Sequence, residues 1–178
     1  MPRLFAFLRA INVGGHTVKM DHLRHLFESL GLGAVETFIA SGNVVFETDE
    51  TDLQALERTL ERHLAASLGY QVATFIRTEA ELLDIAAFQP FPPADLEQAV
   101  AYNVAFLHDP LNEAATDKLM ALRTEIDDFC AHGREVYWLC RQKQSESTFS
   151  NAVLEKTIGQ PSTLRGMKTV RNMVERWG

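Results

Sequence analysis

Two glycine-containing segments carry the residue types best suited to bind a ligand. The first runs from Arg9 to Gly15 with the sequence RAINVGG, and the second is Ser41-Gly42-Asn43. Each follows a short apolar run. Glycine lets backbone N–H groups approach a bound group without a Cβ in the way, and the arginine, asparagine and serine beside it supply charge and hydrogen bonds. Both segments are therefore candidates for holding a phosphate or carboxylate group.

The same segments leave the question of catalysis open. His16 or Glu47 could transfer a proton there, but the sequence contains no Walker lysine motif, no nucleophile elbow and no convincing pair of carboxylates. His22 and His25 are three residues apart on a predicted helix without a third ligand nearby, so we expect them to be solvated rather than metal-bound. We expect no metal and no cofactor.

Apolar periodicity places these segments within a repeated order of elements. In the first half, an apolar strand over 4–9 precedes a helix around residues 20–30, a hairpin over 35–46, a helix around 53–68 and a strand over 72–77. The second half repeats this order from a strand over 102–107. Gly69 and Gly159 are predicted to end equivalent helices, Thr51 and Gln54 resemble a capping box, and Asp109-Pro110 suits a helix start.

The order strand, helix, strand, strand, helix, strand is that of a ferredoxin-like unit. We predict an α+β fold of two tandem ferredoxin-like subdomains with antiparallel sheets and a C-terminal helix from Met167 to Trp177. The first subdomain covers residues 1–87, a proline-rich linker covers 88–95, and the second subdomain with the C-terminal helix covers 96–178.

A comparison of the two halves indicates an internal duplication. Residues 35–46 align without a gap on residues 126–137, an offset of 91, whereas the first strands are offset by 98. The first half then has seven additional residues between its first strand and first helix, around Asn12 to Gly15. Since the first two strands of a ferredoxin-like unit run in the same direction, we expect this loop and the Ser41–Asn43 turn to be neighbours.

Composition limits the partners. The net charge of −7 argues against general binding to nucleic acid, although residues 141–178 hold seven basic and three acidic side chains, which suits either a local anion site or a solvated helix face. No apolar run is long enough to span a membrane, and no signal peptide is apparent, so we expect a cytoplasmic protein. Cys130 and Cys140 are expected to be packing residues.

Taken together, these motifs resemble those of the bacterial family catalogued as domain of unknown function 1697. Arg9, Asn12, Val13, Gly14 and Gly15 fit one family motif, and the run from Thr37 to Phe46 fits another. Near the C-terminus Arg165 and Thr169 fit the family pattern, whereas Gly166, Met167 and Lys168 depart from it. The resemblance implies a compact cytosolic α+β protein with two similar subdomains, and it assigns no activity.

The leading hypothesis from the sequence is binding of a small anionic ligand. The alternatives are an enzyme that acts on such a ligand in the same pocket and a homo-oligomeric interaction module, for example a homodimer. The predicted ligand-binding residues are Arg9, Asn12, Gly14, Gly15, Ser41, Gly42, Asn43, Arg165 and Thr169.

Overall fold

A computed structural model describes residues 1–9, 11, 17–39 and 42–178. These residues form two compact units, Met1–Asp84 and Ile85–Trp177. Each unit contains one four-stranded antiparallel sheet together with helices. Within the described ranges, no helix is both long and apolar enough to cross a membrane.

The first unit has the element order expected of a ferredoxin-like unit. Its elements are β1 (Arg3–Leu8), α1 (Met20–Glu28), β2 (Gly33–Thr37), β3 (Asn43–Glu47), α2 (Leu53–Leu68) and β4 (Thr74–Thr78). The strands are arranged in the order β2-β3-β1-β4. A further helix, α3 (Glu79–Ala87), contains the boundary between the two units.

The second unit repeats the arrangement. Its elements are α4 (Pro93–Glu97), β5 (Ala101–Leu107), α5 (Glu113–Met120), β6 (Asp127–His132), β7 (Glu135–Cys140), a 3-10 turn (Gln144–Glu146), α6 (Asn151–Ile158), β8 (Ser162–Gly166) and α7 (Met167–Trp177). The strand order is β6-β7-β5-β8. The predicted fold class is confirmed. The linker over 88–95 stays a prediction, and α4 begins inside it at Pro93.

Each sheet carries its own apolar core. In the first unit, side chains of β1 and β3 pack with buried residues of α1 and α2, and the Phe27 and Phe46 rings lie 5.6 Å apart. In the second unit, Trp138 and Phe149 pack with buried residues of α5 and α6, their rings 4.8 Å apart. Burial is nearly continuous along β1, β3 and β7, and Leu4, Ala6 and Leu8 of β1 share this first core because side chains two residues apart lie on the same face of a strand.

The two units differ in two connections. Eleven residues separate β1 from α1, whereas five separate β5 from α5, so the first connection is longer by six residues rather than the predicted seven. The first hairpin closes with a hydrogen bond from Phe38 N to Asn43 O, whereas the second pairs His132 directly with Glu135. The turn of the first hairpin is therefore two residues longer. The gap-free alignment of the two hairpins at an offset of 91 is wrong at the turn, because it ignores this difference in length.

Candidate functional site

The candidate site lies where β1 ends and β3 begins. Of its predicted residues, Asn12, Gly14, Gly15 and Ser41 lie outside the described residues, as does His16. Arg9, Gly42 and Asn43 are described and lie at the bases of the two segments. The structure therefore describes the frame of the site, which consists of the residues at the bases of the two segments.

The bases of the two segments are in direct contact. Leu8 N donates a hydrogen bond to Gly42 O at 2.8 Å, and Asn43 is paired with Phe7 across the sheet. Gly42 has φ of +85°, and a Cβ placed on it would lie 3.0 Å from Ile11 Cγ2 and 3.1 Å from Leu8 Cβ. Only glycine combines this left-handed conformation with so close an approach. The expected proximity of the two segments thus holds at their bases.

The Asn43 side chain has a structural task in this frame. It is fully buried, and its Nδ2 donates a hydrogen bond to Phe38 O at 2.9 Å, across the hairpin turn. A buried amide that satisfies a backbone carbonyl stabilises the turn rather than reaching into solvent. Gly42 and Asn43 therefore shape the site through the backbone of the turn.

The start of the β1–α1 connection is held on its other side as well. Arg9, which is half-buried, donates from its backbone N to Ala73 O at 2.9 Å, just before β4. Two residues later, Ile11 O accepts a hydrogen bond from the Tyr70 hydroxyl at 2.9 Å, and the Ile11 side chain is buried. These contacts fix the position from which the connection continues over residues 12–16.

The N-terminus of α1 lies at the same end of the sheet. Because α1 leads from β1 to β2 and these strands run parallel, the helix must start near the end of β1. Its N-cap residue, Lys19, makes no side-chain capping hydrogen bond, whereas Asp52, Asn112 and Ser150 cap α2, α5 and α6. Uncapped amides at a helix N-terminus attract anions.

Arg165 and Thr169 belong to the second unit. Arg165 lies on β8 opposite Val104 and is 7% exposed. Its Nη1 donates to Thr163 Oγ1 at 2.7 Å and to Leu164 O at 2.8 Å. Burial lowers the pKa of Arg165 to about 10. Thr169 is half-buried in the first turn of α7.

Residues 1–137 match the family described as Protein of unknown function (DUF1697). The chain belongs to this family. The matched range of this DUF1697 protein includes both glycine segments and ends before Arg165 and Thr169. Its fold is similar to that of the conserved bacterial protein SP0830 from Streptococcus pneumoniae, with a TM-score of 0.77 and 21% identity over 98% of this chain and 97% of the other. At that identity the likeness concerns the fold alone. No curated protein matches the sequence.

The structure also gives the positions of one proton-transfer candidate, Glu47, and of the two histidines considered as metal ligands, His22 and His25. Glu47 is paired with Arg3, at the opposite end of β3 from Asn43, so its assignment to the candidate site is wrong. Glu47 is close to the hairpin turn in sequence, but because β3 is extended, it lies at the far end of the strand from the turn. His22 and His25 are exposed, and no cluster of three metal-ligating side chains occurs among the described residues.

Tyr70 carries no local sequence signal of its role at the site. Its hydroxyl anchors Ile11 from 59 positions away, through a contact that only the folded chain creates. Tyr70 follows the helix-ending Gly69, and burial raises its pKa. A protonated tyrosine hydroxyl is a suitable donor to a backbone carbonyl.

Proposed function

We propose that this DUF1697 protein binds a small ligand bearing a phosphate or carboxylate group, between the connection that begins at Arg9 and the turn that ends at Asn43. The observation that carries the proposal is the contact between the bases of these segments. Leu8 N is bonded to Gly42 O, and Ile11 packs against Gly42. Two polar, glycine-rich segments with adjoining bases can present their amides to one ligand.

The start of α1 supports an anion as the ligand, since its N-cap residue Lys19 supplies no side-chain cap. The partial positive charge of a helix N-terminus favours a negative group, and here it adds to the charge of the Arg9 side chain. In the proposed complex, the Arg9 guanidinium holds two oxygens of the anionic group, and amides of residues 12–15 take further oxygens. Lys19, exposed at the N-cap of α1, adds a second cation near the same end.

Of the alternatives left open by the sequence, catalysis in the same pocket loses one of its two proton-transfer candidates, because Glu47 lies at the other end of β3. Binding requires neither His16 nor Glu47. We therefore propose a binding site rather than an active site.

A ligand screen with two arginine variants tests the proposal. Inorganic phosphate, sugar phosphates, nucleotides and small carboxylates are screened by thermal shift, and hits are measured by calorimetry. Arg9→Ala should raise the dissociation constant at least about tenfold, as expected for the loss of a charge-assisted hydrogen bond. Arg3→Ala is the control, because it removes the same charge from the other end of β1. The absence of any hit, or equal effects of the two variants, would contradict the proposal.

A further inference from the structure

A cavity lies within the second unit. Its volume is about 320 Å³, and it lies between α4, the start of β5 and the first turns of α7. This volume is at the lower end of the range typical of small-molecule clefts. All its lining residues are described, and none belongs to the predicted ligand-binding set.

One wall of the cavity carries positive charge. Lys168 and Arg171 line it, both are exposed, and their spacing of three residues places them on the same face of α7. Neither makes an ion pair with a carboxylate in the part of the chain that the structure describes, and no acidic residue lines the cavity. The first turn of α7 adds partial positive charge on the same side. This wall suits an anionic group.

The opposite wall is apolar. It is formed by Leu96, Ala99 and Val100, and the Val100 side chain is 61% exposed, one of the few large apolar side chains in such a position. An exposed apolar group beside a cavity is a favourable surface for a ligand's hydrocarbon part. The two walls together therefore favour a ligand with one charged end and one apolar end.

Tyr102 connects the two walls. The Arg171 guanidinium carbon lies 6.0 Å from the centre of its ring, and the Phe91 ring meets the Tyr102 ring edge-on at 6.0 Å. The Tyr102 hydroxyl is buried, and it has no hydrogen-bond partner among the described residues. A buried hydroxyl without a partner lacks the hydrogen bond that it makes to water in the unfolded chain, which is unfavourable. Because Tyr102 lines the cavity, its hydroxyl is an unused donor beside the space that a ligand would fill.

We propose that this cavity binds a small ligand that combines an apolar ring with a single carboxylate or phosphate group. The anionic group lies between Lys168 and Arg171, and the ring packs on Tyr102 and against Val100. The Tyr102 hydroxyl donates a hydrogen bond to the anionic group. This site is independent of the function proposed above, because it uses only residues of the second unit.

Amide and methyl NMR spectra of the full chain test the proposal with four probes: phenyl phosphate, benzoate, inorganic phosphate and benzyl alcohol. Phenyl phosphate or benzoate should give saturable shifts centred on Val100, Tyr102 and Met167. Inorganic phosphate lacks the ring and benzyl alcohol lacks the charge, so each should bind at least about threefold more weakly. The proposal would be overturned if neither ring-bearing anion gave saturable shifts or if the shifts were centred on other residues. Equal binding of benzyl alcohol would also overturn it.

Three variants then separate binding from structure. Arg171→Met should weaken binding of the preferred anion about threefold to tenfold, since an exposed charge contributes less than a buried one. Lys118→Met, an exposed charge on α5, is the matched control and should have no effect. Tyr102→Phe should weaken binding without lowering the melting temperature. If Arg171→Met behaves like Lys118→Met, or if Tyr102→Phe leaves binding unchanged, the proposal is wrong.

Discussion

Replacing Gly42 with alanine should destabilise the first unit by about 2–4 kcal/mol. The φ of +85° alone costs a residue with a Cβ roughly 1–2 kcal/mol, offset by about 0.4–1 kcal/mol because alanine restricts the unfolded chain. The new Cβ would also lie 3.0–3.3 Å from Ile11 and Leu8, including the Leu8 backbone oxygen. Overpacking of this kind adds about 1–3 kcal/mol.

Gly69→Ala is the matched control. Gly69 has φ of +84°, but a Cβ added there would meet nothing within 4 Å, so only the conformational cost applies, about 0.5–1 kcal/mol. The difference between the variants measures how closely the base of the β1–α1 connection packs on Gly42.

Chemical denaturation followed by circular dichroism, with amide exchange of β1 and β3, is the appropriate assay. Both tryptophans, Trp138 and Trp177, lie in the second unit, so their fluorescence does not report on Gly42 directly. At about 2–4 °C per kcal/mol for a chain of this size, Gly42→Ala should lower the melting temperature by roughly 4–16 °C. Equal losses for Gly42→Ala and Gly69→Ala would refute the close contact.

Two further predictions concern the second unit. Asp127→Ala should cost about 2–4 kcal/mol by urea denaturation followed by tryptophan fluorescence, because the buried carboxylate accepts hydrogen bonds from Trp138 Nε1 at 2.9 Å and Ser147 Oγ at 2.7 Å; an effect no larger than that of Asp128→Ala would contradict this. Burial raises the pKa of Tyr102 from 10.0 to about 12, so the folded state favours its neutral form. The contribution of this group to the free energy of unfolding is therefore complete below pH 10 and is lost between pH 10 and about 12. Tyr102→Phe should remove that part of the alkaline loss in stability, and an unchanged pH profile would show that Tyr102 is not its source.

Local sequence signals predicted most elements, because apolar periodicity and glycine act over short distances. Gly69 and Gly159 end α2 and α6 with φ of +84° and +74°, as predicted. The predicted N-caps were wrong. Asp52 rather than Thr51 caps α2 by accepting from Ala55 N, since adjacent residues of both types are good caps and the sequence does not rank them.

The second N-cap failed for a related reason. Asp109-Pro110 suits a helix start, but the chain continues irregularly to Asn112, whose side chain accepts from Ala115 N at 2.8 Å and caps α5. A proline permits a helix to begin without requiring it.

The helix α3 was not predicted, although its signal is present in the sequence. Thr78 and Glu81 form a reciprocal capping box: Glu81 N donates to Thr78 Oγ1 at 3.1 Å, and Thr78 N donates to Glu81 Oε1 at 3.0 Å. Leu82 and Ile85 then supply a buried stripe. The proline cluster that follows α3 predicts a linker, and that signal is the stronger of the two.

The candidate site could be predicted in place but not in detail. Strand order determines which ends of the sheet meet, and that order follows from the sequence of elements. By contrast, the Tyr70–Ile11 hydrogen bond joins residues that are 59 positions apart, and it forms only in the folded chain. No local pattern encodes a contact between residues so far apart in the chain.

The difference between the two units supports a purpose for the β1–α1 connection beyond folding. A connection of five residues joins β5 to α5 within the same topology, so the six additional residues before α1 are not required by the strand order. Closing the longer loop costs about 0.7 kcal/mol more in chain entropy. Despite this cost, the start of the connection is held by the hydrogen bonds of Arg9 N and Ile11 O. Ordered bases beneath a connection longer than the fold requires suit a binding loop, in agreement with the site proposed for the first unit.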